Sequence, residues 1–425
     1  MMMVYPLLLG NNEYNNATER HKDFADSVFS TYISNKLTDD NLLNLKRPLI
    51  FVPGIRTSRL AIRKENGSLE HFWPLMPHEF LIREKLDRVF HYLETNIPVR
   101  ADDNDDDIKV VATSLIPFAY DGLIKSILAW GYKPNFDFWI FPYDWRQSNR
   151  ISGHMLAKFI EEKIEGKWYD GVDIISHSMG GIIARVASLN GAPIRRTAYI
   201  ACPHLGSPLA YFILHPQIDS RKFIGSAYHN YPSSVHWHPN DTSNMKRRKT
   251  LYHRRKELFV KFPSMYELLP DESYLRNRAI LLTDGKPESG AENTYLKNDW
   301  AFKEKDMRSD VINAMEFKRE LGEELPRQDV LLICGTNQMT CDTIHYRTSY
   351  HASITERRPG YLMQQGFSLP YDSGQGGDGY VPVTSAMASI SRTPAYSNSV
   401  FIPEAHTVLS NAKATLEAIS RFLAV

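Results

Sequence analysis

Pro48-Leu-Ile-Phe-Val52 is an unbroken apolar, β-rich run ended by Pro53-Gly54, and a run of that kind leaves few ways to fold. A strand with one wet face alternates apolar and polar residues. A run without alternation needs cover on both faces, which is the condition of a strand inside a parallel sheet. Runs of the same type recur at Val110-Val-Ala-Thr113, Phe136-Asp-Phe-Trp-Ile-Phe141, Val172-Asp-Ile-Ile175, Ala198-Tyr-Ile-Ala201, Val330-Leu-Leu-Ile333 and Val400-Phe-Ile402. Helical patterns lie between them at about residues 120–130, 151–165, 180–190 and 412–422. Strands alternating with helices predict a doubly wound, mostly parallel sheet with helices on both faces.

The spacing breaks once. Roughly 120 residues separate the core strands on either side of the stretch from Pro208 to Arg327, too long for a loop. The reading is an inserted cap or lid, residues 209–327, over the carboxyl edge of the sheet. Residues 1–47 read as an N-terminal extension with a helical stretch at 18–36. Residues 48–208 and 328–425 form the two parts of the core.

At 425 residues the chain can bury a large core, and 43% hydrophobic with 12% aromatic residues fits an ordered protein. The net charge of +1 gives no argument for a nucleic-acid partner. Two charge runs stand out. Asp102-Asp-Asn-Asp-Asp-Asp107 reads as a solvated loop before a strand. Lys246, Arg247, Arg248, Lys249, Arg254, Arg255 and Lys256 crowd one segment of the insertion, either an exposed polar helix or a surface for anionic lipid headgroups. Cys202, Cys334 and Cys341 do not make a disulfide framework and are expected as buried thiols of a reducing compartment, with a Cys334–Cys341 bridge as the less favoured reading. The opening Met-Met-Met-Val-Tyr-Pro-Leu-Leu-Leu-Gly lacks the basic start and small-residue cleavage site of a secretory signal, and no stretch reaches the length of a membrane span. The expectation is a cytoplasmic protein that meets lipid from outside.

The chemistry centres on Val172-Asp-Ile-Ile-Ser-His-Ser-Met-Gly-Gly181. A buried strand runs into a small-residue turn and then a helix, which lifts Ser178 above the sheet at a helix N-terminus. Ser176 holds the first small position, where glycine is usual, and fits by size. A serine hydroxyl needs a base, and the base a carboxylate to hold it. Asp378, within Gly376-Gly-Asp-Gly-Tyr-Val-Pro382, is the candidate acid, with Asp372 the runner-up and Asp284 and Asp329 less well placed. His406 follows the last apolar run and is the candidate base, with Ser410 as a candidate cap for the final helix. His177 is expected to pack or hydrogen-bond beneath the turn, and His204 to lend structural support. The candidate oxyanion donors are the backbone amides of Met179 and Ile55.

These motifs, in this order, resemble the lecithin–cholesterol acyltransferase family, which includes lysosomal phospholipases and phospholipid:diacylglycerol acyltransferases. The matching pieces are Phe51-Val-Pro-Gly-Ile55 with Ser58-Arg59-Leu60, Pro142-Tyr-Asp-Trp-Arg146, Ser176-His-Ser-Met-Gly-Gly181 and Pro203-His-Leu-Gly-Ser-Pro208. Pro263-Ser-Met-Tyr-Glu-Leu-Leu-Pro270, Gly377-Asp-Gly-Tyr-Val-Pro382 and Glu404-Ala-His406 complete the series. The resemblance implies an α/β-hydrolase fold, a triad of Ser178, Asp378 and His406, and oxyanion amides at Ile55 and Met179. It implies that Asp144 and Arg146 pair and shape the pocket floor. Two features depart from the family: no cysteine lies near the first strand, where secreted animal members close a lid by a disulfide, and Tyr380 replaces a common threonine. The expected activity is serine-dependent acyl hydrolysis or transfer on a lipid ester, phospholipid first, with no metal or organic cofactor implied. Alternatives are a soluble carboxylesterase or neutral lipase, and a catalytically silent lipid-binding member.

Overall fold

A computed structural model describes residues 47–74, 83–94, 110–116, 118–165, 170–214, 258–277, 281–283, 286–287, 290–297, 305–325, 329–338, 340–349, 360–368, 376–388 and 398–425. The expected helix at 18–36, the acidic run at 102–107, the basic run at 246–256, Asp284 and Asp372 lie outside the described residues.

Six strands make one parallel sheet: β1 (Leu49–Val52), β5 (Phe138–Ile140), β6 (Val172–His177), β7 (Ile194–Ile200), β10 (Asp329–Gly335) and β13 (Ser399–Ile402). Their spatial order is β13-β10-β7-β6-β1-β5, and every neighbouring pair is parallel. The chain goes from β1 to β5 on one side, then crosses back to β6 on the other. The order therefore reverses between β1 and β6, where Leu49 pairs with Asp173 and Val52 with Ser176. In open α/β sheets the crevice outside the carboxyl ends of such a pair is where ligands bind.

Both faces of this sheet are covered, which is why its strands carry apolar residues at successive positions. Leu49, Phe51, Ile175, Ala198, Ile200, Leu331 and Ile333 pack to one side with Leu123 and Ile127 of α2 (Asp121–Ala129) and Ile419 and Leu423 of α11 (Lys413–Leu423). Ile50, Val52, Ile174, Tyr199, Leu332 and Cys334 face the other way, toward α3 (Asn149–Ile164) and α4 (Met179–Leu189). α3 and α4 touch through Gly153, where any Cβ would overlap the Val186 side chain. This is the α/β-hydrolase architecture.

Three features differ from the sequence reading. The run at 110–113 is not in the central sheet: β4 (Val110–Leu115) pairs antiparallel with β2 (Ser58–Arg63), which pairs with β3 (Leu69–Trp73). Of its six residues only Val110 is fully buried, so its apolar look reflects partial cover and not a place between two helix layers. The segment after β10 forms a hairpin of β11 (Thr340–Ser349) and β12 (Gly360–Ser368), and β11 joins β8 (Leu281–Thr283), itself paired with β9 (Lys286–Pro287), in a separate four-stranded sheet. The final helix begins after Ala412 with no side-chain cap. Ser410 does not cap it, and its hydroxyl has no partner among the described residues. Its neighbour Asn411 instead accepts the Leu123 amide of α2 at 3.1 Å, closing the N-terminus of a helix nearly 300 residues away.

The remaining helices are α1 (Arg83–Glu94), α5 (Pro208–Leu214), α6 (Pro263–Tyr266), α7 (Glu272–Asn277), α8 (Lys305–Leu321), α9 (Val383–Ala386) and α10 (His406–Leu409), with a π-helical turn at Glu292–Lys297. Among the described residues no helix is long and apolar enough to cross a membrane.

Candidate active site

β6 is buried along its whole length and delivers the chain straight into α4. Between them Ser178 adopts φ 54° and ψ −128°, a region that disfavours residues other than glycine. Close packing on all sides holds it there. A Cβ on Gly180 would run into the carbonyl oxygens of Val52 and Pro53, and one on Gly181 would overlap Cys202 Sγ. Ser176 fits the remaining small position, fully buried, with its hydroxyl 3.4 Å from the Ala198 carbonyl. The Ser178 amide donates to Ile200 O at 2.8 Å, which fixes the turn to the end of β7.

His406 opens α10, four residues beyond the end of β13. Its Nε2 lies 2.9 Å from Ser178 Oγ and its Nδ1 2.6 Å from Asp378 Oδ2. The other Asp378 oxygen accepts the Tyr380 amide at 2.9 Å and the Val381 amide at 2.7 Å. The carboxylate is 2% exposed, so these donors replace the water it has lost. Gly379 at φ +92° makes the tight turn that brings them round, and the His406 amide donates to Asp378 O at 3.0 Å. The Tyr380 ring stacks on the His406 imidazole, centroids 5.2 Å apart. Ser178, Asp378 and His406 are thus brought together in one hydrogen-bonded line. Asp329 begins β10, at the opposite edge of the sheet.

Gly54 is the first residue of the loop from β1 that faces this line, and a Cβ there would come within 3.2 Å of Ser178 Cβ. The next residue, Ile55, makes no backbone amide hydrogen bond to another backbone group among the described residues. Met179 opens α4, where an amide has no carbonyl one turn back to pair with. Met179 thus directly follows the nucleophile, and Ile55 directly follows the glycine packed against it.

His177 lies between Tyr120 and His406, buried, with its pKa held well below the usual value by burial and then by the His406 charge. His204 is buried with its ring edge-on to Tyr199, and its ring nitrogens have no hydrogen-bond partner among the described residues. Arg146 is fully buried, pairs with Asp144 at 2.6 Å, and donates to the Tyr92 and Leu93 carbonyls at the end of α1. That pair anchors a helix end.

Two supports of the site were not singled out from the sequence. Gly335, the last residue of β10, lies where any Cβ would overlap Asp378 Cβ. Glycine at the carboxyl end of an apolar run was the available signal. Glu267 accepts the Ser148 hydroxyl at 2.5 Å and the Asn149 amide at 2.7 Å, so it caps the N-terminus of α3 from the insertion. Burial pushes its pKa up to about 7, against the lowering effect of those two donors. Nearby, Ser264 donates to Trp145 O at 2.7 Å. Cys202, Cys334 and Cys341 are buried and unbridged.

A model of the lecithin:cholesterol acyltransferase family matches residues 94–216, the stretch that runs from the end of α1 past Ser178 to the end of α5. Lecithin-cholesterol acyltransferase-like 4 of Arabidopsis thaliana is 26% identical over 249 residues, covering 52% of this chain and 42% of that protein. The chain resembles the lecithin:cholesterol acyltransferase family. The match spans less than half of the Arabidopsis relative's length. A chain in the crystal structure of the Tle4-Tli4 complex superposes with a TM-score of 0.52 at 15% identity, covering 89% of this chain and 99% of that one. At that identity the likeness concerns the fold.

Proposed function

We propose that this chain is a serine-dependent lipid acyl hydrolase or acyltransferase in which Ser178, His406 and Asp378 form the triad. The observation that carries the reading is the line Ser178 Oγ–His406 Nε2, His406 Nδ1–Asp378 Oδ2, at 2.9 and 2.6 Å, set on a strained turn at the point where the strand order reverses. His406 takes the Ser178 hydroxyl proton as the oxygen attacks the ester carbonyl. The oxyanion sits against the Ile55 and Met179 amides, each worth about 3 kcal/mol of barrier in sites of this kind. The ester C–O bond breaks, and the departing oxygen takes the proton from His406. Water or an alcohol then gives its proton to His406, attacks the acyl-enzyme, and releases Ser178 with its proton restored. Asp378 keeps Nδ1 protonated throughout.

Phospholipid is the proposed acyl donor, on the strength of the family resemblance, and the basic residues 246–256 are the proposed contact with a lipid surface. The insertion 209–327 is proposed as the cap above the site. The pairing of β8, which lies within it, with β11 supports that placement. A cytoplasmic location belongs to the same proposal, supported by three buried, unbridged thiols.

Incubation with phosphatidylcholine vesicles, with and without a long-chain alcohol, tests the reading by product mass spectrometry. The expected products are lysophospholipid with free fatty acid, and the fatty acyl ester when alcohol is present, all absent with Ser178→Ala. Turnover of short-chain esters alone would move the assignment to a carboxylesterase. Products that persist in Ser178→Ala would overturn it.

A further inference from the structure

The residues behind the proposed triad are joined by a second line of hydrogen bonds, none of which touches Ser178 Oγ. The Gly54 amide donates to the Tyr120 hydroxyl oxygen at 2.9 Å. Tyr120 Oη is 2.8 Å from His177 Nδ1, and His177 Nε2 is 3.2 Å from the His406 carbonyl oxygen. The proton positions follow from donor and acceptor rules. A carbonyl oxygen only accepts, so His177 Nε2 carries the hydrogen. The ring is held neutral by burial, so Nδ1 is bare and accepts the Tyr120 O–H. Burial also raises the Tyr120 pKa to about 12, so that proton stays in place. Thr57 Oγ1 lies 3.4 Å from Tyr120 Oη but only 2.5 Å from Gly54 O, and the shorter contact takes the Thr57 proton. Each member therefore has one arrangement, with no donor facing a donor.

We infer that Tyr120 and His177 are positioning residues for acyl transfer: their hydrogen bonds tie the loop that presents the Ile55 amide to the backbone of His406. The inference rests on the proposed roles of Ser178 and His406. Gly54 is the peptide next to Ile55, and a Cβ at Gly54 would meet His177 Nδ1 at 3.0 Å, Ser178 Cβ at 3.2 Å and Tyr120 Oη at 3.3 Å. All of these groups therefore meet at one point. The Gly54 N–H is used inward, and the following amide, that of Ile55, has no backbone partner among the described residues. The His177 ring also lies 4.8 Å from the His406 ring, so a shift of one moves the other. Groups that fix oxyanion donors and a base in mutual register act on the transition state more than on bound substrate.

Tyr120→Phe removes one oxygen and keeps the ring that packs edge-on to Phe51, centroids 4.7 Å apart. It leaves the Gly54 amide and His177 Nδ1 unpaired together. The expected result, per site titrated with a fluorophosphonate, is a fall in kcat on p-nitrophenyl butyrate of about tenfold to a hundredfold with KM within about twofold. His177→Gln keeps a donor that can reach the His406 carbonyl and His177→Phe does not, so kcat should fall in the order wild type, Gln, Phe. Wild-type turnover and its loss in Ser178→Ala are measured alongside. An inactive wild type would sink the underlying reading. An active, Ser178-dependent wild type with Tyr120→Phe and His177→Phe within twofold in kcat would overturn this inference and leave that reading standing. Failure of both variants to fold also overturns it, because the line would then be a folding element and not a positioning one.

Discussion

Asp378 gives one oxygen to two backbone amides and the other to His406, so its carboxylate has no orientation to spare. Asp378→Asn keeps the shape and inverts one contact. The amide nitrogen would face His406 Nδ1, two donors would oppose, and the imidazole would relax by moving its proton to Nε2. Ser178 Oγ would then meet an N–H and lose its base. The expected outcome is a fall in kcat of about 10⁴-fold with KM little changed, read by steady-state ester hydrolysis. A loss of less than tenfold would remove Asp378 from the proposed triad. These three residues were legible because each sits beside a pattern that a turn requires: small residues around Ser178, glycines around Asp378, and the end of the last apolar run before His406. Tyr120 and Glu267 carry no such mark. Their partners are contributed by chain segments more than 50 residues distant, and no local pattern encodes a partner of that kind.

Among the elements, α3 and α4 show how closely the layer under Ser178 is packed. Gly153, in the second turn of α3, weakens that helix by about 0.5–1 kcal/mol relative to alanine. A Cβ there would overlap the Val186 side chain close to its own Cβ, where no flexible tip can swing away, and would lie 3.1 Å from Ile183 O. The clash outweighs the propensity gain. Gly153→Ala should therefore destabilise the protein by about 1–3 kcal/mol, measured by urea unfolding. An unchanged or raised stability would mean that the two helices are further apart. The central strands and the four helices read from the sequence were legible because both-face burial and 3.6-residue periodicity are local properties. β2 and β3 also had a local signal, the Asn66-Gly67 turn between them, with Gly67 at φ +79°. α8 places Met307, Val311, Ala314, Phe317 and Leu321 on one buried stripe, a period the undivided insertion concealed. The pairing of β11 with β8 had no sequence signal, since pairing between strands 60 residues apart depends on the folded layers around them.

For the molecule as a whole, pH acts on stability through groups of opposite sign. Glu267 keeps its proton in the folded state up to about pH 7, whereas its ordinary value is 4.5. Its contribution is complete below the ordinary value and is lost as pH rises to about 7, an effect on the order of 3 kcal/mol. His177 and His204 are held below their ordinary value by burial, so their contribution is complete above about 6.5 and is lost as pH falls. The slopes oppose one another, and a single stability profile would hide both. The difference between wild type and Glu267→Gln isolates the carboxyl, because Gln can accept the Asn149 amide and donate to Ser148 without titrating. That difference should move by about 3 kcal/mol against wild type between pH 4.5 and 7.5 in urea unfolding. A pH-independent difference would show that Glu267 is not buried at the α3 terminus.

The central claim is that Ser178 is an activated nucleophile, and covalent labelling with a fluorophosphonate tests it most directly. Intact-mass and peptide analysis should find one adduct per chain, on the peptide containing Ser178, absent in Ser178→Ala and strongly slowed in His406→Asn. Labelling elsewhere, or none on a folded wild-type protein, would contradict it.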